Sequence, residues 1–320
     1  MQNLFDPAIL FFVFGILAGT VKSNLEIPPQ ISRFLSLYLL MALGLKGGFA
    51  LAKSGLNADI VASLGCAIFL AILVPALGYQ ILKRWLNGYD AAAIAATYGS
   101  VSAVTFITTI QYLETHSIQY GGHMAAAMAL MESPAIIMAV MFANTLRQKN
   151  GHTTQGITPF RKILHESFTD GAQLLLLGAM IIGVLSGEKG EAMLAPFSID
   201  LFKGMLAFFL LDMGLMASRN MAELRQQPFW LVAYAILGPL AHASLALILA
   251  AALGIAPGNG GLLMVLAASA SYIAVPAALR YAIPEAKPAL YFGMSLGITF
   301  PFNILLGIPL YVYVAERVLG

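Results

Sequence analysis

This sequence has little charge. Asp, Glu, Lys and Arg make up 10% of its 320 residues, hydrophobic residues 59%, and the mean hydropathy is +0.83. Soluble domains carry about a quarter charged residues, so a water-exposed fold is excluded and the chain reads as an all-α integral membrane protein. Cysteine occurs once, at Cys66, which excludes an internal disulfide. A formal net charge of +2 with no basic tract gives no sign of a nucleic-acid partner. There is no low-complexity segment and no separate soluble domain. His116 and His123 flank a loop, form no metal-like cluster and read as surface residues. No positive segment precedes the first apolar run at Pro7, so that run reads as a retained span rather than a cleaved signal.

What the chain has in quantity is apolar length. Crossing a ~30 Å hydrocarbon core takes about 20 helical residues, and ten spans are predicted over 7–21, 31–51, 59–82, 90–112, 121–146, 169–187, 200–218, 229–254, 260–281 and 288–315. The polar stretch "RQKNGHTTQGITPFRKILHESF" separates the fifth from the sixth, dividing the chain into 1–146, a linker at 147–168, and 169–320. Twelve Lys and Arg residues fall in the odd-to-even loops, four on the opposite side, and Lys46 lies within a span. Cytoplasmic loops collect Lys and Arg, which places the linker in the cytoplasm and both termini outside the cell membrane. Lys46 and Asp212 lie in spans 2 and 7. Two readings stand for them: a mutual ion pair, or a lysine that snorkels to an interface.

The halves repeat. "FGILAG" at 14–19 matches "IGVLSG" at 182–187, "LMALGL" at 40–45 resembles "LLDMGL" at 210–215, and "SVSAVTFITTIQYL" at 100–113 lines up with "SYIAVPAALRYAIP" at 271–284. The offset stays at 168 to 171. A unit of five spans is odd, so the second copy enters the membrane from the other face. Inverted-topology repeats mark secondary transporters, whose sites lie near the midplane at discontinuous helices.

Spans 4 and 9 carry the interruptions. Pro276 lacks a donor and clashes with the carbonyl of Tyr272, and Gly99, flanked by hydroxyl residues, is the weak point of span 4. Two helices broken from opposite sides bring two half-helix N-termini together, a site for a small anion. The candidate anion residues are Gly99, Ser100, Val101 and Ser102 with Ser269, Ser271, Tyr272 and Ile273. A kinked span with serines bonding their own helix is the plain alternative, and two symmetric interruptions weigh against it. Thr105 shares one helical face with Ser102; Ser295, Thr299 and Asn303 share another at i, i+4 and i+8. Glu132 lies deep in span 5, where an acid marks function by default. The 171 offset pairs it with Asn303. Oxygen ligands suit a hard cation, so Thr105, Glu132, Ser295, Thr299 and Asn303 read as a sodium site. Interhelical hydrogen bonding is the alternative for the hydroxyls.

The stretches "TYGSVSAVTFITTIQYLE" (97–114) and "AASASYIAVPAALRYAIPEAKPALY" (267–291), with "GLKGG" (44–48) and "PLAHA" (239–243), resemble the family of sodium-dependent bicarbonate transporters of the cyanobacterial SbtA type. The similarity runs along nearly the whole chain. It implies a homotrimer of ten-span subunits working as elevator carriers, with spans 1, 2, 6 and 7 as gate and spans 3–5 and 8–10 as mobile core. It also implies sodium and bicarbonate bound where spans 4 and 9 cross, and a small trimeric PII-type regulator at the cytoplasmic face. Gly99, Ser102 and Thr105 match the pattern in span 4, and Ser269 and Ser271 its serine run in span 9. Glu132 keeps the acid of span 5. Tyr272 stands where the cyanobacterial pattern has an aspartate, and the 147–168 linker is shorter. No cofactor beyond a coupling sodium ion is implied. No "GxSxG" context accompanies His242, so an intramembrane serine hydrolase is not supported. The expectation is a sodium-coupled carrier of bicarbonate and not an enzyme. The alternatives are another small carboxylate, or a cation/proton exchanger using Glu132.

Overall fold

A computed structural model describes residues 6–54, 58–149, 171–224 and 228–320, so most of the 147–168 linker lies outside the described residues. The elements are α1 (Pro7–Thr20), α2 (Pro29–Ser54), α3 (Ala58–Leu82), α4 (Gly88–Gly99), α5 (Ala103–Thr115), α6 (Met124–Lys149), α7 (Gly171–Ala195), α8 (Phe202–Leu224), α9 (Phe229–Leu253), α10 (Pro257–Ala268), α11 (Ala274–Ala282) and α12 (Pro288–Leu319). No strand occurs among the described residues. Seven helical stretches there are long and apolar enough to cross a membrane, and α1 and α10 are shorter apolar helices. The protein is a multi-pass membrane protein.

Local chemistry sets the helix ends. Asp6 caps α1 by accepting the Ala8 N–H at 2.8 Å, with Pro7 at the first position, where a missing donor costs nothing. The Asn87 side chain accepts from the amides of Tyr89 and Asp90 to start α4. Gly187 breaks α7 with φ 54°, ψ −146°, a backbone state that glycine enters without a Cβ penalty; the sixth span was expected to end there. Within α12 two π turns, Ser295–Thr299 and Asn303–Gly307, each end two residues before a proline, Pro301 and Pro309. A proline cannot donate to the carbonyl four residues back, and the helix widens ahead of it.

Close backbone approach builds one half of the molecule. α1 packs along α8, and α2 along α7. A Cβ on Gly15 would meet the Leu211 carbonyl oxygen at 2.3 Å, one on Gly214 the Phe12 oxygen at 2.2 Å, and one on Gly48 the Met180 oxygen at 2.2 Å. Small residues at such crossings let membrane helices gain dispersion and Cα–H contacts where lipid supplies no hydrophobic drive. In the rest of the chain α3, α4 and α6 pack on one another, and α10 packs between α9 and α12.

Two expectations need correction. Lys46 and Asp212 do not pair: Lys46 Nζ lies 3.1 Å from Glu114 Oε1 and 4.3 Å from the centre of the Phe202 ring, while Asp212 accepts the Ser32 hydroxyl at 2.5 Å. The α5 end, bearing Glu114, sits beside α2 and supplies the nearer acid. His123 is not a surface residue but is buried. Its loop is folded down by Asn259, which accepts the Gly121 N–H at 2.7 Å and donates to Asp59 at 2.7 Å.

Candidate functional site

Helix α4 stops at Gly99 and α5 starts at Ala103; α10 stops at Ala268 and α11 starts at Ala274. The chain is extended at Ser100 (ψ −172°) and at Ser269 (ψ 164°). In the second break the helix opens before Pro276 rather than at it. Pro276 is the third residue of α11, in the first turn, where its missing N–H would have had no intrahelical acceptor.

The two breaks are bonded to each other. The Ser102 N–H donates to Ser269 Oγ at 3.0 Å, and the Ser271 N–H donates to the Thr97 carbonyl at 2.8 Å. A serine of each break also accepts from the first turn of the half-helix after it. Ser102 Oγ accepts from the Thr105 N–H (3.2 Å) and the Thr105 hydroxyl (2.9 Å), and Ser271 Oγ accepts from the Val275 N–H (3.2 Å). These caps leave other donors over. The amides of Val101, Ala103, Tyr272, Ile273 and Ala274 have no hydrogen-bond partner among the described residues. The buried hydroxyls of Ser100 and Tyr272 have none either.

All five of those amide-bearing residues line one cavity of about 60 Å³, together with Ser102, Ser271, Glu132, Ser36 and Gln173. At ~10–15 Å³ for each water-sized probe, it holds a ligand of about four to six heavy atoms. Among the described residues, no Lys, Arg or His lines it. Its walls are the N-terminal ends of α5 and α11, the first third of α6, and the facing surfaces of α2 and α7. The Gln173 amide donates to Glu132 Oε2 at 2.8 Å, and the Ser133 hydroxyl reaches Gln173 Oε1 at 3.4 Å.

The expected residues therefore divide into groups. Val101, Ser102, Ser271, Tyr272, Ile273 and Glu132 meet at the cavity. Gly99, Ser100 and Ser269 stand behind it. Ser269 anchors Ser102, and Gly99 faces Pro75 so closely that a Cβ would lie 2.6 Å from the proline ring. Thr105 binds the Ser102 cap. Ser295 donates to its own helix at Tyr291 (2.7 Å). Thr299 donates to Ala235 O at 2.7 Å, so its 2.6 Å bond to Tyr98 is donated by the tyrosine, a hydroxyl having one proton. Asn303 donates to the Ala268 carbonyl at 2.8 Å, satisfying the C-terminal end of α10, and accepts from Tyr311. The last three are buried and bonded away from Glu132. Sequence reasoning missed Gln173 and Ser36, whose only signal was a lone polar side chain on an otherwise apolar helical stretch.

Donors converging from two helix N-termini, with no cation among the described lining residues, make a site for a small anion. A family model for the Na+-dependent bicarbonate transporter superfamily matches residues 7–316. The chain belongs to that superfamily. Its members are transporters, and the matched region contains both breaks and every residue of the cavity. No curated protein matches the chain.

Proposed function

We propose that the protein is a sodium-coupled carrier of a small planar monoanion, bicarbonate by its family, and that the anion sits between the N-termini of α5 and α11. The observation that carries this reading is the set of five unpartnered amides lining one cavity. Each helix N-terminus presents about +0.5 of a charge, so two facing one cavity balance about one negative charge without an arginine. Ser102 and Ser271 fix the donors by capping both half-helices, and the ~60 Å³ cavity suits a one-carbon oxyanion.

Sodium is implied by Glu132. A carboxylate sharing the cavity with an anion repels it by about 3 kcal/mol at ~5 Å and an effective dielectric of ~20. A cation held by Glu132 removes that repulsion, with the Ser102 and Thr105 hydroxyls as further oxygen donors. Coupling of this kind is reciprocal: each ion raises the affinity for the other by the same factor.

The same reading takes α4 with α5, and α10 with α11, as single interrupted spans, which makes ten crossings in two inverted repeats. Equal helix lengths support it: α3 and α9 have 25 residues each, and α4 and α10 have 12 each. Helices α1, α2, α7 and α8 then form the gate, held together by their glycine contacts, and the remaining helices form a core that slides along it. Uptake of labelled bicarbonate, formate and acetate by proteoliposomes, with and without a sodium gradient, tests the proposal. Sodium-driven bicarbonate uptake is expected. In Glu132→Gln the sodium concentration for half-maximal uptake should rise about tenfold or more with the chain still folded. Sodium-independent uptake in the unaltered protein would refute the coupling.

A further inference from the structure

Gln173, like Ser36, reaches the cavity from the helix group opposite to its other polar residues, and it alone of the two bonds Glu132. It is on α7, which packs along α2, whereas Glu132 is on α6, which packs with α3 and α4. Its amide is nevertheless within 2.8 Å of Glu132 Oε2. On the carrier reading, on which this inference rests, the core moves past the gate during transport. A bond between the two groups therefore exists in only part of the cycle.

We propose that Gln173 is a state-dependent competitor for the sodium ligand Glu132, promoting sodium release on the side to which the cavity opens in this conformation. The chemistry is a contest for one oxygen. A carboxylate oxygen that accepts an amide N–H is a poorer cation ligand, because the lone pair and the local negative potential are already engaged. Gln173 is itself oriented by the Ser133 hydroxyl at 3.4 Å, so its donor end is turned toward the acid. The cavity on this side is bounded by Ala172, Gln173 and Leu176 at the start of α7 and by Ser36 and Leu40 in the early part of α2. By the distribution of Lys and Arg these are cytoplasmic ends. When the core moves toward the outer face, Glu132 leaves Gln173 behind and regains its full strength as a ligand. The site then takes sodium strongly outside and weakly inside, the asymmetry that an importer needs. Gln173 is thus a positioning residue that acts through Glu132.

The test is sidedness. Sodium dependence of bicarbonate exchange is measured in proteoliposomes of known orientation, with sodium varied on one face at a time. Gln173→Met keeps the length and removes the donor; Gln173→Asn keeps the donor and removes the reach. Both should lower the sodium concentration for half-maximal exchange at the cytoplasmic face by roughly tenfold, the scale of a hydrogen bond to a charged group, and leave the outer face within about twofold. A purely structural role would shift both faces together or only reduce the amount of folded protein. Equal shifts on both faces, no shift, or a shift in the Met variant alone would overturn the inference. Unaltered protein and Glu132→Gln in the same vesicles separate the two levels. If exchange needs no sodium, or Glu132→Gln does not weaken it, the carrier reading fails and the inference goes with it. If both controls behave and the Gln173 variants do not, only the inference fails.

Discussion

The two interrupted helices do the same job with different lengths of chain. The first break is three residues, 100–102; the second is five, 269–273. Up to the breaks α4 and α10 run in step at an offset of 169, and α5 and α11 resume at 171. Compared with the first half, the second has two fewer residues between α9 and α10 and two more inside the break. The short break is tight: Gly99 lies against Pro75, and Ser102 both caps α5 and is anchored to Ser269. The long break brings two large side chains to the cavity. They are Tyr272, with an unpartnered hydroxyl, and Ile273, which is 52% exposed. Both breaks supply free amides; on the proposed reading the short one is the rigid side and the long one adds the side chains that set selectivity.

The largest expected effect comes from breaking the rigid side. Gly99→Ala places a methyl 2.6–2.7 Å from three carbons of the Pro75 ring, which has no rotamer to escape through. Overpacking of this kind costs about 1–3 kcal/mol, and relief by shifting α4 would move the amides of Val101 and Ala103 out of register. Loss of most transport with a lower unfolding temperature in detergent is expected. The corresponding end of α10 is already an alanine, Ala268, so Ala268→Gly should cost no more than about 1 kcal/mol and keep measurable transport. Equal damage from the two would mean that the breaks are equally tight.

A middle-sized effect separates the two caps. Ser102 accepts two hydrogen bonds, from Thr105 N–H and Thr105 Oγ1, and Ser271 accepts one. Removing a cap typically costs about 1 kcal/mol. Ser102→Ala should therefore lower stability by roughly 1–2 kcal/mol and also weaken sodium activation, because it removes an oxygen near Glu132. Ser271→Ala should cost about half as much and raise the half-saturating anion concentration without altering sodium dependence. Thermal unfolding and two-ligand uptake curves on the paired variants would measure this. Identical profiles would erase the distinction between an anchored cap and a loose one.

The positions of the breaks were legible in the sequence because glycine, serine and proline inside apolar runs have local chemistry strong enough to be read one residue at a time. Glu132 was legible for the same reason: an acid in hydrocarbon needs a purpose. The features that stayed hidden depend on rotation and on distance. Ser295, Thr299 and Asn303 share a face only in a regular α-helix, and the π turns beginning at Ser295 and Asn303 rotate the remainder of α12. The bonds of Thr299 to Tyr98 and Ala235, and of Asn303 to Ala268, reflect that rotation, while Ser295 bonds back to its own helix at Tyr291. The redistribution of two residues between loop and break was hidden because apolar segments align almost equally well at offsets of 169 and 171. Partners across the two helix groups, Gln173 with Glu132 and Lys46 with Glu114, are long-range facts with no local pattern at all.

The effect smallest on transport is the most discriminating, and it sits on the loose side. Tyr272 packs its ring edge-on against Phe300 at 5.1 Å, and its hydroxyl, though close to Ser102, makes no hydrogen bond. Tyr272→Phe keeps the ring, its packing and the cavity shape. If the hydroxyl were only an unsatisfied group, its removal would leave affinity alone and stabilise the fold by up to about 1–3 kcal/mol, the cost of a buried donor left unmade. If it donates to the bound anion, the same substitution should still stabilise the empty protein but raise the half-saturating bicarbonate concentration several-fold, roughly the worth of one hydrogen bond to a charged group. The two signs together, a higher unfolding temperature and a weaker anion, are the expected result. Stability and affinity that both stay unchanged would remove Tyr272 from the site and leave selectivity to the backbone donors and the volume they enclose.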